Sequence, residues 1–252
     1  MPGNSFDTAT LAIVLIGALV AGFTTGFAGF GTALVASGLW FHALPAAVVP
    51  PLVVLASVAG QLVGLVTVRN AFDWRRAAPY LIGGAVGVPF GVAALAVASP
   101  SLLRASVGIF LMIYAFYQLA WRRRHWIGAW GGATADGLIG VGGGFLGGFA
   151  GLSGPLPLIW LQLRGGDGDG QRATYQPFNL IVLALATGGM ALTGQITSQV
   201  LWIAFFCLPA TLIGASLGAR VYTGVSARTF QRVVLCLLLM SGCILIAQSI
   251  PG

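Results

Sequence analysis

Residues 22–29 read Gly-Phe-Thr-Thr-Gly-Phe-Ala-Gly, and residues 144–151 read Gly-Phe-Leu-Gly-Gly-Phe-Ala-Gly. Six of the eight positions agree across a spacing of 122 residues, about half of the 252-residue chain. Each copy lies inside a long apolar stretch and is followed by a helix restart. The restarts are Phe30-Gly31-Thr32-Ala33 in the first half and Leu152-Ser153-Gly154-Pro155 in the second. Glycine permits a tight turn and lets a ligand approach the backbone. A helix N-terminus then presents unpaired N–H donors and the positive end of the dipole, a combination that favours anions. A glycine break repeated in the two halves of an apolar chain points to a binding site between the halves.

The residues that could line such a site follow from the two breaks. The backbone contributors are Gly26, Gly29, Phe30 and Gly31 in the first copy, and Gly148, Gly151, Leu152 and Gly154 in the second. Thr24, Thr25, Thr32 and Ser153 add hydroxyl donors. Polar residues inside apolar spans are few and therefore informative. Gln61 lies in one span, and Gln176 and Asn179 flank Pro177 at the start of the matching span. Gln61 and Asn179 fit a pocket lining and fit interhelical hydrogen bonding equally well. The glycines also admit a plainer role in close helix packing, but packing alone does not require the density of glycine at 140–154 or hydroxyls at the restarts. The second restart, with Ser153-Gly154-Pro155, is expected to be the better-formed anion end, since proline suits a first helical turn.

Other chemistry finds no support. There is no Gly-x4-Gly-Lys-Ser/Thr nucleotide loop, no His-Glu-x-x-His and no Ser/His/Asp cluster. No catalytic residue, metal site or cofactor is expected. His42 and His125 fall at span ends, and Cys207, Cys236 and Cys243 lie in apolar runs without metal spacing. The thiols read as small apolar packing groups. A contact of Cys236 and Cys243, which share a helix face, with a sulfur-bearing ligand is unsupported. Asp136 is the only acidic residue within an apolar run. It reads as the neutralising partner of an interfacial arginine, ahead of a proton-coupling carboxylate.

The elements that must position these residues are membrane helices. The chain is 58% hydrophobic and 7% charged, with no lysine and no glutamate, where soluble domains carry about 25% charged residues. A net charge of +7 on a soluble protein would suggest nucleic acid. Here the arginines sit in short gaps between apolar runs, so they read as topology and headgroup contacts, and no nucleic acid is expected. The start, Met1 to Thr10, lacks the basic region of a cleavable signal peptide, so the first apolar run is expected to be retained. The apolar runs are 9–41, 45–66, 77–98 and 102–121, then 133–163, 177–195, 200–219 and 231–250. The unbroken ones have the length that spans about 30 Å of hydrocarbon as helix. The broken runs, 9–41 and 133–163, are longer than one helix needs and read as pairs of short helices.

The repeat extends past the opening phrase. Trp74 matches Trp202 and Arg104 matches Arg232, and Pro79 and Pro209 each precede glycines four apart, Gly83/Gly87/Gly91 and Gly214/Gly218. Such spacing lets helix backbones approach closely in lipid. The repeats are therefore 9–124 and 125–250. The basic gaps 67–76, 122–126, 164–172 and 220–232 are cytoplasmic by the positive-inside rule, with Arg104 the exception. This orients matching spans oppositely and requires each broken run to start and finish on one side. Trp40, Trp74, Trp121, Trp126 and Trp202 read as an aromatic belt.

At Gly22–Gly31 and Gly144–Gly154 the chain resembles the TauE/SafE family of sulfite exporters and related anion permeases. The resemblance is strengthened by Gly154-Pro155-Leu156-Pro157, Gln171-Arg172-Ala173-Thr174 and Gln176-Pro177-Phe178-Asn179, and it covers about Thr10 to Gln248. The first motif departs from the family pattern at Phe30-Gly31-Thr32-Ala33, where the family often has an aliphatic residue and a glycine run. The resemblance implies transport of sulfur oxyanions or organosulfur anions across the cytoplasmic membrane. The expectation is thus an all-α integral membrane protein of two inverted repeats, with about eight to ten spanning or half-spanning helices and two glycine-broken pairs meeting at the midplane. It would be a multi-pass inner-membrane secondary transporter for a small anion, working by alternating access. An anion channel and a non-transporting membrane scaffold are the alternatives. The expected partners are the anion and the lipid bilayer; a homo-oligomer is left open.

Overall fold

A computed structural model describes residues 8–29, 31–68, 74–120, 128, 130–165, 168–221 and 227–249. Ten helices are present among these residues, and no strand. They are α1 (Thr8–Ala28), α2 (Thr32–Ala43), α3 (Val49–Val68), α4 (Trp74–Val97), α5 (Pro100–Ala120), α6 (Gly132–Ala150), α7 (Pro155–Arg164), α8 (Gly168–Leu192), α9 (Ser198–Val221) and α10 (Ala227–Ser249). Six of them are long and apolar enough to cross a bilayer. Their outward faces carry large apolar side chains such as Ile82, Phe90, Ile113, Phe116 and Phe205, all well exposed. That surface suits lipid and would be costly in water.

Each broken run is a helical hairpin. In the first, Gly29 ends α1 at φ 79°, and its N–H donates to the Thr25 carbonyl at 2.7 Å. In the second, Gly151 ends α6 at φ 75°, and its N–H donates to the Gly147 carbonyl at 2.9 Å. Both are left-handed helix stops that glycine makes without strain. The short helices then fold back along the long ones. The Trp40 indole N–H reaches the Val14 carbonyl at 3.1 Å, and the Trp160 indole N–H reaches Asp136 Oδ1 at 2.7 Å. Trp40 is therefore a fully buried hairpin clasp and no part of an aromatic belt, whereas Trp74 and Trp202 are exposed as expected. Trp121, Trp126 and His125 lie outside the described residues.

The hairpins are gripped by the opposite half. A Cβ on Gly83, Gly87 or Gly91 of α4 would strike the backbone of α6, and one on Gly140, Gly144 or Gly148 of α6 would strike α4. In the same way Gly22 and Gly26 of α1 face Thr211 and Ala215 of α9, while Gly214 and Gly218 face Leu19 and Phe23. Numbering rises together along both contacts, so each pair is parallel. The α5–α10 contact runs the other way, with Gly108 against Gly242 and Leu245 and Met112 against Gly242. Bare backbones approach closely enough here for dispersion to replace the hydrophobic drive that lipid does not supply.

One boundary reading and one burial reading change. The helix bearing Asn179 begins at Gly168, so Gln176 and Pro177 lie well inside α8 and not at its start. Its polar first turns are helical because Gln171, Thr174 and Gln176 are buried against the bundle, and tertiary contact overrides composition. Cys207 is buried as expected, but Cys236 and Cys243 are exposed on α10. The apolar solvent outside them is lipid, so a thiol needs no burial there.

Asp136 is buried in α6 and accepts hydrogen bonds from Tyr80 Oη at 2.6 Å and from Trp160. Its other oxygen pairs with Arg164 at 3.2 Å. An arginine partner is what the sequence favoured; it comes from the end of α7, and Arg164 also donates to the Trp130 and Gly132 carbonyls. The cluster ties the base of the second hairpin together. At the same spacing of 122, Asp136 is matched in the first hairpin by Val14, and Arg164 by His42, which shares a 3.1 Å hydrogen bond with Ser241 of α10.

Candidate functional site

The two restarts meet. Gly31, Thr32, Ala33 and Leu34 at the start of α2 line one cavity together with Gly151, Ser153, Gly154 and Pro155 before and within α7. Ser57 and Gln61 of α3 and Asn179 and Leu183 of α8 complete the wall. None of the lining residues is charged. The space open to the centre of a water-sized sphere is about 20 Å³, room for one or two small groups.

Donor supply differs between the two helix ends. In α2 the first intrahelical bond runs from Val35 N–H to the Gly31 carbonyl at 3.0 Å. The N–H groups of Thr32, Ala33 and Leu34 therefore have no acceptor within the helix. Thr32 N–H donates to Thr25 Oγ1 at 2.7 Å, and Ala33 and Leu34 line the cavity beside it. In α7 the first intrahelical bond runs from Leu158 N–H to the Gly154 carbonyl. Pro155 and Pro157 have no N–H, so within the first turn only Leu156 brings a donor. Proline fits the helix start but depletes the anion end it begins. The second half makes up for this with side chains. Ser153 Oγ donates to Asn179 Oδ1 at 3.0 Å. With its oxygen so engaged, the Asn179 amide lies flat against Gly154, where a Cβ would stand 2.8 Å from Nδ2 and 3.0 Å from Oδ1, and only Nδ2 is left to donate. Ser153 thus orients a donor and spends its own proton doing so.

Of the residues singled out from sequence, Gly31, Thr32, Gln61, Gly151, Ser153, Gly154 and Asn179 line this cavity. Gly31 holds φ 121°, a conformation open to glycine, and a Cβ there would lie 2.6 Å from Thr24 Cγ2. Thr25 stands behind the lining, its hydroxyl bonded to that of Thr32. Thr24 turns its hydroxyl back to the Val20 carbonyl. Gly26 and Gly148 serve the α1–α9 and α4–α6 contacts. Leu152 is buried behind the break, its N–H on the Leu146 carbonyl. Gly29 and Gln176 lie against each other beside the cavity. Phe30 lies outside the described residues. Ser57 was missed. Its signal was present, since it stands one helical turn before Gln61 and so on the same face. Its hydroxyl is buried and finds no hydrogen-bond partner in the structure.

This pairing of two glycine-broken hairpins over one uncharged, donor-lined cavity accompanies a family match over nearly the whole chain. The family model described as "Sulfite exporter TauE/SafE" matches residues 14–245. The chain belongs to the TauE/SafE family. No curated protein and no solved structure matches it. TauE/SafE proteins are sulfite exporter-type membrane transporters rather than enzymes, and the long apolar helices of this chain fit a multi-pass transporter.

Proposed function

We propose that this chain is a secondary transporter for a small anion, a sulfur oxyanion or small organosulfonate, in the cell inner membrane. The observation that carries the reading is the meeting of both restarted helices at one cavity. Positive helix ends and N–H, hydroxyl and amide donors converge there without a fixed cation. Such a site compensates one anionic charge while leaving the release step cheap, because no ion pair has to be broken. The closed cavity holds little more than a water or two; a compact oxyanion requires the hairpins to part slightly, and a longer organosulfonate requires them to part further.

Alternating access by two inverted repeats, 9–124 and 125–250, accounts for the packing. The α1–α9 and α4–α6 pairs are parallel and α5–α10 is antiparallel. If α4–α5 and α9–α10 each cross and return, α1 and α6 must point in opposite directions. Each half then clasps the other half's hairpin, so that one repeat can rock against the other around the cavity.

Purified protein in liposomes should take up or exchange sulfite, thiosulfate, taurine or sulfoacetate with saturation, and non-sulfur carboxylates should compete poorly. Absence of both flux and ligand-dependent thermal stabilisation across that panel would refute the substrate reading. Non-saturating flux would favour a channel.

A further inference from the structure

The two sides of the cavity are unlike. On α8, Arg172, Tyr175, Gln176 and Asn179 fall at helical spacings of three and four, so they share one face. Asn179 lines the cavity, and Arg172 lies two turns earlier, about 10 Å along the axis at 1.5 Å per residue. The Gly29 turn of the first hairpin rests on this face. A Cβ at Gly29 would lie 2.6 Å from Tyr175 Oη, 3.3 Å from Gln176 Nε2 and 3.4 Å from Arg172 Nε. Gln176 is 5% exposed, and its amide donor Nε2 faces the Gly29 turn alongside Arg172 Nε.

The corresponding turn of the second hairpin meets a different wall. A Cβ at Gly151 would lie 2.7 Å from Val53 Cγ1 and 3.2 Å from Val54 Cγ2. Val53 and Val54 stand one turn before Ser57 on α3, as Tyr175 and Gln176 stand one turn before Asn179 on α8. The turns occupy equivalent places in the repeat, but one is faced by polar groups and a guanidinium and the other by valine methyls.

We propose that the Arg172–Tyr175–Gln176 face of α8 is a waiting site for the anion, the polar port through which it enters or leaves the cavity on the side where α8 begins. The Gly29 turn is its gate. This rests on the anion-transport reading above. Arg172 draws the anion from the basic interface, and Gln176 and the tyrosine hydroxyl pass it one turn inward to Asn179. Glycine is required at position 29 because φ is 79° and a Cβ would press on the Tyr175 hydroxyl. The port has no counterpart at Gly151, where valine methyls stand in the equivalent places. A charged step on one side only makes the carrier's two access states electrostatically different, since a guanidinium raises local anion concentration and its effect is screened by salt.

The test is radiolabelled thiosulfate and sulfite flux in proteoliposomes of defined orientation, with the anion offered to each side in turn. Arg172→Gln should raise KM about tenfold for anion presented on the side where α8 begins and change it less than twofold from the other side. Arg172→Lys should recover most of the loss, and raised ionic strength should weaken wild-type entry on that side but not entry by R172Q. Gln176→Leu, which keeps volume, should slow flux while thiosulfate bound at equilibrium is retained; it serves if R172Q does not fold. Wild-type flux with R172Q unchanged, or with both sides equally affected, overturns the port and leaves the transport reading standing. Wild-type protein that neither binds nor moves either anion overturns both.

Discussion

Ser57 offers the sharpest test of the cavity, because its removal should move stability and binding in opposite directions. The hydroxyl is buried on α3, lines the cavity and has no hydrogen-bond partner in the structure. A buried polar group without a partner costs about 1–3 kcal/mol, less if water reaches it. Ser57→Ala removes that cost and leaves only a hydroxyl-sized void, so the ligand-free protein should be as stable as wild type or more so. A hydrogen bond to a charged ligand is worth about 1.5–3 kcal/mol, which at 1.4 kcal/mol per decade is about 10- to 150-fold in Kd. The assay is thermal unfolding of the detergent-solubilised protein with and without a titrated anion from the sulfur panel. The expected result is an unchanged or raised Tm without ligand and a dissociation constant at least tenfold weaker. A lowered ligand-free Tm with unaltered affinity would refute the reasoning, since Ser57 would then be a structural hydroxyl facing an undetected partner.

Four further outcomes follow from the same geometry. Ser153→Ala strands the buried Asn179 Oδ1 and should cost about 1–3 kcal/mol of stability. It should also weaken anion binding, and Ser153→Thr should restore both in part. Gly31→Ala forces φ 121° on an alanine and presses on Thr24; a loss of about 1–3 kcal/mol is expected, together with reduced flux in protein that still folds. Gly26→Ala and Gly148→Ala would drive a methyl into the α9 and α4 backbones. Both should lower the monodisperse fraction on size-exclusion chromatography whether or not anion is present, as packing glycines do and binding glycines need not. Asp136→Asn can still accept from Tyr80 and Trp160 but loses the Arg164 pair. It should lower stability by about 1.5–3 kcal/mol, while the pH dependence of flux stays as in wild type. A flattened pH dependence in that variant would restore the proton-coupling role.

Much of the cavity could be read along the chain, because its chemistry is local. The breaks at Gly29 and Gly151, the restarts after them and the rare polar residues Gln61 and Asn179 all stand out against an apolar background. Ser57 did not, since a lone serine in a helix is common until Gln61 is placed above it on the same face. The dense glycines of 140–154 read as more than packing requires; Gly140, Gly144 and Gly148 prove to face α4, because the partner backbone lies in the other half and no local pattern announces it. That Pro155 and Pro157 bring no N–H to the α7 end could have been counted from the sequence. The preference of proline for a helix start drew attention from the N–H groups it removes.

The solvent, the helices and the doubling are set by the order of residues along the chain. Composition excludes water as the solvent of most surfaces, apolar run length sets the spans, and the repeated phrase locates the two breaks. Only the tertiary structure decided which breaks meet, and what stands beside each. The α2 and α7 ends share a cavity because α9 and α4 of the opposite halves hold the hairpins in place, a contact between residues far apart in the chain. The same packing sets Gly29 against Arg172, Tyr175 and Gln176 but sets Gly151 against two valines. Two nearly identical octapeptides acquire different surroundings because a turn's chemistry is completed by neighbours that its own sequence does not encode.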